Sequence, residues 1–500
     1  MKKRFLLTNV ALALIALTGT LPATMPTATA QENHIFRVSG TDREAIQKTI
    51  DEASAKKGVA YLPAGEYQID GDLWLTDHSI VRGDGDATVL RFSKGQIRSL
   101  KNGSKSFYYT NNYFNEVVPN PVNTGITKAA AKGENKIEVA DAARFQKGDW
   151  VYTDDNRKDT WEILEDPKRA HLWNDPKAPL ARQQIFQIVG IEGNSIEFNN
   201  PLHFGVEPGN TLRKHVGARD FEVSSLKIIH PTELRPLHFE QPMNARFTNL
   251  TIEAKGGITL SHKAYNNLIE NCRFITKGWR GVTVEYFCGR NRIIGNSVDY
   301  IGGGDAAILI MISSWENNVS YNSVEYVAQK NGQPRDEGGI YIHATTYNNT
   351  VHNNNVNGTI EAYGNFFGAD NNVFFDNIGT NVRMGIVSYY ARNNVYLDNV
   401  LTIVPKPPVD TEGALIYGSF GNLFRGNHIS GQFVNGLRIQ GSHSIDVIDN
   451  VLAGSGESLF GFRYYDKDIK TGDTFNGVNP RSGLRRGNVV SGVKTQEGSQ

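Results

Sequence analysis

From residue 244 onward, short apolar–polar runs alternate with asparagines at a near-constant spacing. The motif is N-x-Φ-x-x-N, with Φ usually apolar: NNLIEN at 266, NRIIGN at 291, NNVSYN at 317, NTVHNN at 349, NVFFDN at 372, NVYLDN at 394 and NLFRGN at 422. NARFTN at 244 is a looser copy. The closing asparagines are Asn249, Asn271, Asn296, Asn322, Asn354, Asn377, Asn399 and Asn427, with Asn450 next, and they step by 22 to 32 residues. A base step near 22, with extra length looped out, predicts one β-coil per repeat. A second strand recurs between the motifs: GITLS at 257, GVTVE at 281, AILIM at 307, GIYIH at 339, GIVSY at 385, ALIYG at 414 and GLRIQ at 436. Period-2 alternation sends one set of side chains inside each coil and the other outside. The closing asparagines should stack inside and satisfy turn backbone groups.

Upstream, TDREAIQKTIDEASAKK (41–57) predicts an amphipathic helix with Ile46 and Ile50 on one face and a Thr41/Glu44 capping box. VAYLPAGEYQI and SIVRGDGDATVLRF read as strands and turns. Residues 99–215 break the repeat and read as an inserted small β subdomain containing Trp161, His171 and Trp173, either roofing a groove or decorating the coil. The organisation expected is a signal peptide (1–30), an N-terminal cap and first coils (31–98), the insertion (99–215), the coil core (216–470) and a tail (471–500).

On DREAIQKTIDEA, YLPAGEYQI, VRGDGDATVL and the coil repeat, about two thirds of the chain resembles the pectate-lyase-like superfamily of right-handed parallel β-helix proteins. The resemblance implies an all-β, single-stranded solenoid capped by a helix, and a polysaccharide-active history. It does not select one reaction.

Charge and composition narrow the classes. Lys plus Arg and Asp plus Glu are 52 each, with no basic run, which argues against a nucleic-acid partner. Lys2, Lys3 and Arg4, an apolar run from Phe5 to about Leu17, and Ala28-Thr29-Ala30 form a secretory signal cleaved near Ala30. No membrane anchor is expected after it. The expected location is therefore periplasmic or extracellular. Cys272 and Cys288 read as two buried thiols without zinc-ligand spacing. Oligomeric state is not encoded in any of these features.

Aligned on the recurring strand, two positions before it lie Trp279, Asp305, Glu337, Glu361, Arg383 and Glu412, with Arg280 one place later on the first rung. The outward third position gives Thr259, Thr283, Leu309, Tyr341, Asn365, Val387, Ile416 and Arg438. The fifth gives Ser261, Glu285, Met311, His343, Phe367, Tyr389, Gly418 and Gln440. Carboxylates ringed by aromatic and polar side chains suit a sugar groove. Rungs about 4.8 Å apart set Glu337 and Glu361 near the separation of a retaining glycosidase pair. GGGDAAI and DEGGIYI resemble β-helical glycoside hydrolases, although Ala306 breaks the adjacent-acid pattern of polygalacturonases. The hydrolytic reading makes Glu337, Glu361, Asp305 and Asp336 the catalytic carboxylates. His343, Arg383, Arg280, Tyr341, Tyr389 and Trp279 then contact a polysaccharide, and no cofactor is needed.

Two alternatives use the same corner. A uronate lyase or epimerase would place Ca²⁺ on Asp305, Glu337 and Glu361, or use Arg383 or Arg280 directly. A non-catalytic glycan-binding or adhesive solenoid would use only the surface. Structural readings stand beside these: a salt-bridged corner joining the acids to Arg383 and Arg280, an exposed strand His343, a rim Glu285, and Trp279 and Trp315 as covers of apolar surface.

Overall fold

A computed structural model describes residues 34–99, 122–155, 182–301, 306–327, 338–405, 411–465 and 479–499. The chain winds into a right-handed parallel β-solenoid. A 24-stranded sheet carries the two strands of each N-x-Φ-x-x-N motif. A 13-stranded parallel sheet carries the second strand, from Leu73–Trp74 to Thr495–Ser499. Inward side chains of both sheets form one continuous apolar core from Val38 to Tyr464. The helix Arg43–Ala55 packs Ile46, Ile50 and Ala53 against the first strands. Its N-cap is Asp42, whose side chain accepts from Ala45 N at 2.8 Å; Thr41, the expected cap, lies one residue too early.

The asparagines stack as two ladders rather than one. The closing ladder runs Asn296, Asn322, Asn354, Asn377, Asn399, Asn427, Asn450 and Asn488, each amide donating to the next side-chain oxygen at 2.8–3.0 Å. Opening asparagines build a second, from Asn267 through Asn291, Asn317, Asn349 and Asn372 to Asn394 and Asn422, in which Asn372 donates its side-chain amide to Asn365 instead. Asn249 and Asn271 are exceptions to the expected stacking. They are exposed, with φ of 54° and 52°, and Leu250 and Cys272 hold the inward positions. Asparagine tolerates the left-handed turn almost as well as it fills a ladder, so the motif carried both uses.

Both cysteines are free and buried, and burial pushes each thiol up to about 12. The insertion is a six-stranded sheet spanning 123–214 with its own core of Ile126, Ile137, Val151, Phe186, Phe198 and Leu212.

Candidate active site on the outer face of the 13-stranded sheet

The site begins with a break in alternation. Ala306, Gly338, Glu361, Met384, Glu412 and Asn435 stand in register on successive strands. The next position is skipped by the ladder, and pairing resumes at Ile308, Ile340, Tyr363, Ile386, Ala414 and Leu437. Skipped and resumed positions both point inward. Only glycine or alanine fills the skipped position on these rungs (Ala307, Gly339, Ala362, Gly385, Gly413, Gly436), because two consecutive large inward side chains do not fit. A Cβ at Gly413 would lie 2.3 Å from Gly436 O, at Gly385 2.5 Å from Gly413 O, and at Gly339 2.5 Å from Val356 Cγ1.

This break corrects the corner read from sequence. The single column of Trp279, Asp305, Glu337, Glu361, Arg383 and Glu412 is really two. Counting back from Val282, opposite Ile308, Arg280 shares its position with Ala306 and hence with Glu361 and Glu412. Trp279 and Arg383 stand one place earlier. Arg383 is a buried corner residue whose N–H donates to Ile360 O at 3.1 Å. Glu361 lies opposite Gly338, not opposite Glu337. Asp305, Asp336 and Glu337 themselves lie outside the described residues. The same one-residue slip displaces two rungs of the outward columns. Gly364 and Leu415, not Asn365 and Ile416, follow Tyr341 in its column; Phe366 and Tyr417, not Phe367 and Gly418, follow His343. Asn365 and Ile416 are fully buried.

Glu361 is half-buried and accepts a hydrogen bond from the Tyr341 hydroxyl at 2.6 Å. Glycines make the contact. The Tyr341 ring folds back over Gly338, where a Cβ would lie 2.0 Å from ring carbon Cζ. On the other side it crosses Gly364, where a Cβ would meet Tyr341 Cδ1 at 2.7 Å. Thus Gly338 houses the tyrosine outside and Gly339 closes the coil inside, which accounts for both glycines of DEGGIYI.

An aromatic stripe leaves this pair along the solenoid axis. His343 lies 5.7 Å from Phe366 and 5.2 Å from Phe367. Phe367 meets Tyr389 at 5.4 Å, and Tyr389 stacks on Tyr417 at 4.4 Å and 6°. His343, Phe366, Phe367 and Tyr389 are partly exposed. Tyr341, His343 and Tyr389 therefore share the face expected of them. Arg280 places its guanidinium 4.5 Å over the half-buried Trp279 ring.

Two other described acids on this face, Glu412 and Glu285, are locked. Glu412 is buried, accepting from Asn435 Nδ2 and Arg438 Nη1 at 3.0 Å each. Glu285, expected at a rim, is buried and paired with Arg235 at 2.7 Å. His238, beside Ser261 Oγ at 3.3 Å, is held well below the usual imidazole range by burial and then by Arg235, Arg98 and His262. These partners come from distant loops and strands, so no local motif announced them.

Trp315 covers apolar surface, as its structural reading has it. It is buried with Met243, Tyr265 and Tyr347 against Tyr152 and Ile185 of the insertion, and His203 of the insertion lies 4.6 Å from its ring. The insertion therefore seats on the turn that follows the first strands of the 13-stranded sheet, alongside its outer face. Trp161, His171 and Trp173 lie outside the described residues.

The periplasmic copper-binding protein (NosD) family matches residues 335–471. No curated protein matches the chain. Among solved structures, the chain is similar to the tailspike protein gp49 from Pseudomonas phage LKA1, with 13% identity and a TM-score of 0.54, covering 91% of this chain and 71% of that one. The Pseudomonas phage phi297 tailspike gp61 follows at 12% and 0.50, covering 84% and 62%. The Azotobacter vinelandii mannuronan C-5 epimerase AlgE6 A-module is a looser likeness, at 14% and 0.44, covering 94% and 98%. The two tailspike likenesses bear on the fold alone.

Copper does not fit the side chains seen. Among the described residues no three His, Cys, Asp or Glu side chains converge on a metal position. The matched segment has no cysteine and one methionine, Met384. Its histidines are dispersed: His343 lies against phenylalanines, while His352 stacks on Phe375 at 4.6 Å and His443 on Phe420 at 5.1 Å.

Proposed function

We propose that this protein is an exported carbohydrate-active enzyme. It binds a polysaccharide along the outer face of the 13-stranded sheet and cleaves a glycosidic bond at the Tyr341–Glu361 rung. One observation carries the reading: a partly exposed carboxylate tethered to a tyrosine hydroxyl at the head of an aromatic stripe. Aromatic faces stack on the apolar faces of sugars, and a held carboxylate supplies acid, base or nucleophile. In the hydrolytic form Glu361 acts with a second carboxylate, Glu337 or Asp336, which directly precede the Gly338–His343 strand in sequence. Asp305 tunes their protonation. His343, Tyr389, Arg383, Arg280 and Trp279 bind sugar, and no cofactor is required. The charged, apolar and A-x-A segments at the N-terminus support export, and no helix among the described residues is long and apolar enough to cross a membrane.

A second reading, uronate elimination or epimerisation, draws support from Arg383 at the adjoining corner and from Tyr341 and His343 side by side on one strand. A guanidinium would neutralise the uronate carboxylate while a hydroxyl or imidazole moves the proton beside it. Ca²⁺ on Glu361, Asp305 and Glu337 would serve the same neutralising purpose. The deciding experiment incubates the secreted protein with a glycan panel and follows reducing ends together with the ultraviolet absorbance of unsaturated uronates. Reducing ends alone mean hydrolysis, and both signals mean elimination. Neither signal, with retained binding, leaves a glycan-binding solenoid. Loss of activity on chelation and recovery with added Ca²⁺ would assign the metal.

A further inference from the structure

We propose that the C-terminal end of this outer face is an anion subsite that reads an acidic sugar, with Arg463 as its reading group. The proposal rests on the reading of the face as a glycan track. The strand Phe460–Tyr465 sends Phe462 and Tyr464 into the core, which leaves Phe460, Arg463 and Tyr465 outside. Arg463 pairs in register with Arg438. Two arginines therefore stand in one column on neighbouring rungs, whose strands are about 4.8 Å apart.

The two arginines are provided for differently. Arg438 is neutralised by Glu412 at 3.0 Å and bonded to Gln440 Oε1 at 2.5 Å. Arg463 makes no ion pair or hydrogen bond among the described residues. It is held by ring faces alone, 4.3 Å from the Phe460 centroid and 4.9 Å from that of Tyr465. Ring faces fix the guanidinium plane but accept none of its five N–H donors. The next rung adds no side chain, because Arg463 pairs with Gly498. That glycine is itself required, since a Cβ there would lie 2.8 Å from the Phe460 ring. A partly exposed guanidinium, held against ring faces and without an acceptor among the described residues, suits the forked recognition of a carboxylate or sulfate.

Its position defines its role. Arg463 stands in the column of Tyr341, Gly364, Val387, Leu415 and Arg438, five rungs from Tyr341. At about 4.8 Å per rung that is roughly 24 Å, too far to touch the reacting atoms. Arg463 therefore sets affinity for a long acidic chain and leaves the chemical step alone.

The test begins with an array of uronate-containing, sulfated and neutral oligosaccharides. Titration calorimetry then compares the best acidic ligand with its carboxyl-reduced or desulfated counterpart. Wild type should prefer the acidic form about tenfold. Arg463→Ala should abolish that preference, Arg463→Lys should keep part of it, and Tyr389→Ala should weaken both forms alike. The array separates carboxylate from sulfate. Retention of neutral glycans only, or an unchanged preference in Arg463→Ala, overturns the subsite. If Tyr389→Ala still weakens binding in that case, the track stands without it. If no glycan binds wild type, the track fails and the subsite with it.

Discussion

Glu361 and Glu412 occupy the same outward column two rungs apart, and they differ in exposure and in the groups seen to hold them. Glu412 is buried between Asn435 and the Arg438 guanidinium, with its charge matched by a full positive charge. Glu361 is partly exposed and held by a neutral hydroxyl. Under the proposed function, identical residues on equivalent rungs serve separate ends. A carboxylate matched by a buried cation is structural, because releasing it strands the cation. A partly exposed carboxylate held by a hydroxyl keeps its orientation at the surface where a substrate would lie. Glu285, matched by Arg235, belongs with Glu412.

The largest test of the contrast is Glu361→Gln. Turnover should fall about a thousandfold, equivalent to about 4 kcal/mol in the barrier, with an unchanged melting temperature. Steady-state kinetics and a thermal melt decide it, and full activity would move the chemistry elsewhere. Glu412→Gln should do the reverse, removing about 3 kcal/mol of stability in denaturant titration while turnover per folded molecule survives. If Glu412→Gln abolishes turnover without destabilising, the two glutamates have been assigned the wrong way round. Gly338→Ala sharpens the comparison through the backbone: its methyl group displaces the Tyr341 ring at about 2 kcal/mol of strain, so stability and activity should both drop. Tyr341→Phe deletes only the hydroxyl and should slow turnover about tenfold without altering the melting temperature.

A smaller, pH-linked effect separates loss of fold from loss of chemistry. His203, His230 and His238 are all lowered from the ordinary 6.5, in each case first by burial. Below about 6.5 the unfolded chain binds protons that these native imidazoles refuse, so stability is fully present above that pH and declines as pH falls through it. Melts from pH 8 to 5 should slope downward on the acid side, and His238→Gln should flatten part of the slope. Activity lost more steeply than stability over that range belongs to the site.

The solenoid was legible because its two periods, about 22 residues and 2 residues, are packing rules written directly into side-chain type. Tyr341 and His343 outside, with Ile340 and Ile342 inside, followed from the second. The corner was less legible because period 2 fails there, where two successive positions turn inward. The signal was present in Gly339, Gly385, Gly413 and Gly436, a glycine on nearly every rung just before an apolar residue. Read as spacers that admit a second inward position, they would have put Glu361 opposite Gly338. Arg235 and Arg438 as charge partners lay beyond reach, since each meets its acid across 26 to 50 residues. Asn249 and Asn271 misled because one residue type serves both stacking and the left-handed turn.

The asparagine ladders also make the molecule a measuring instrument. From Asn296 onward successive rungs are pinned to their neighbours by side-chain amide hydrogen bonds of nearly constant length, so the outer face there is graduated at a fixed interval of about 4.8 Å. A bound chain has graduations of its own. Where the two scales differ they behave as a vernier, coinciding at one place and drifting apart on either side. Lengthening the ligand should then strengthen binding only until the scales fall out of step, and the length at which the gain stops would report the repeat of the natural polymer.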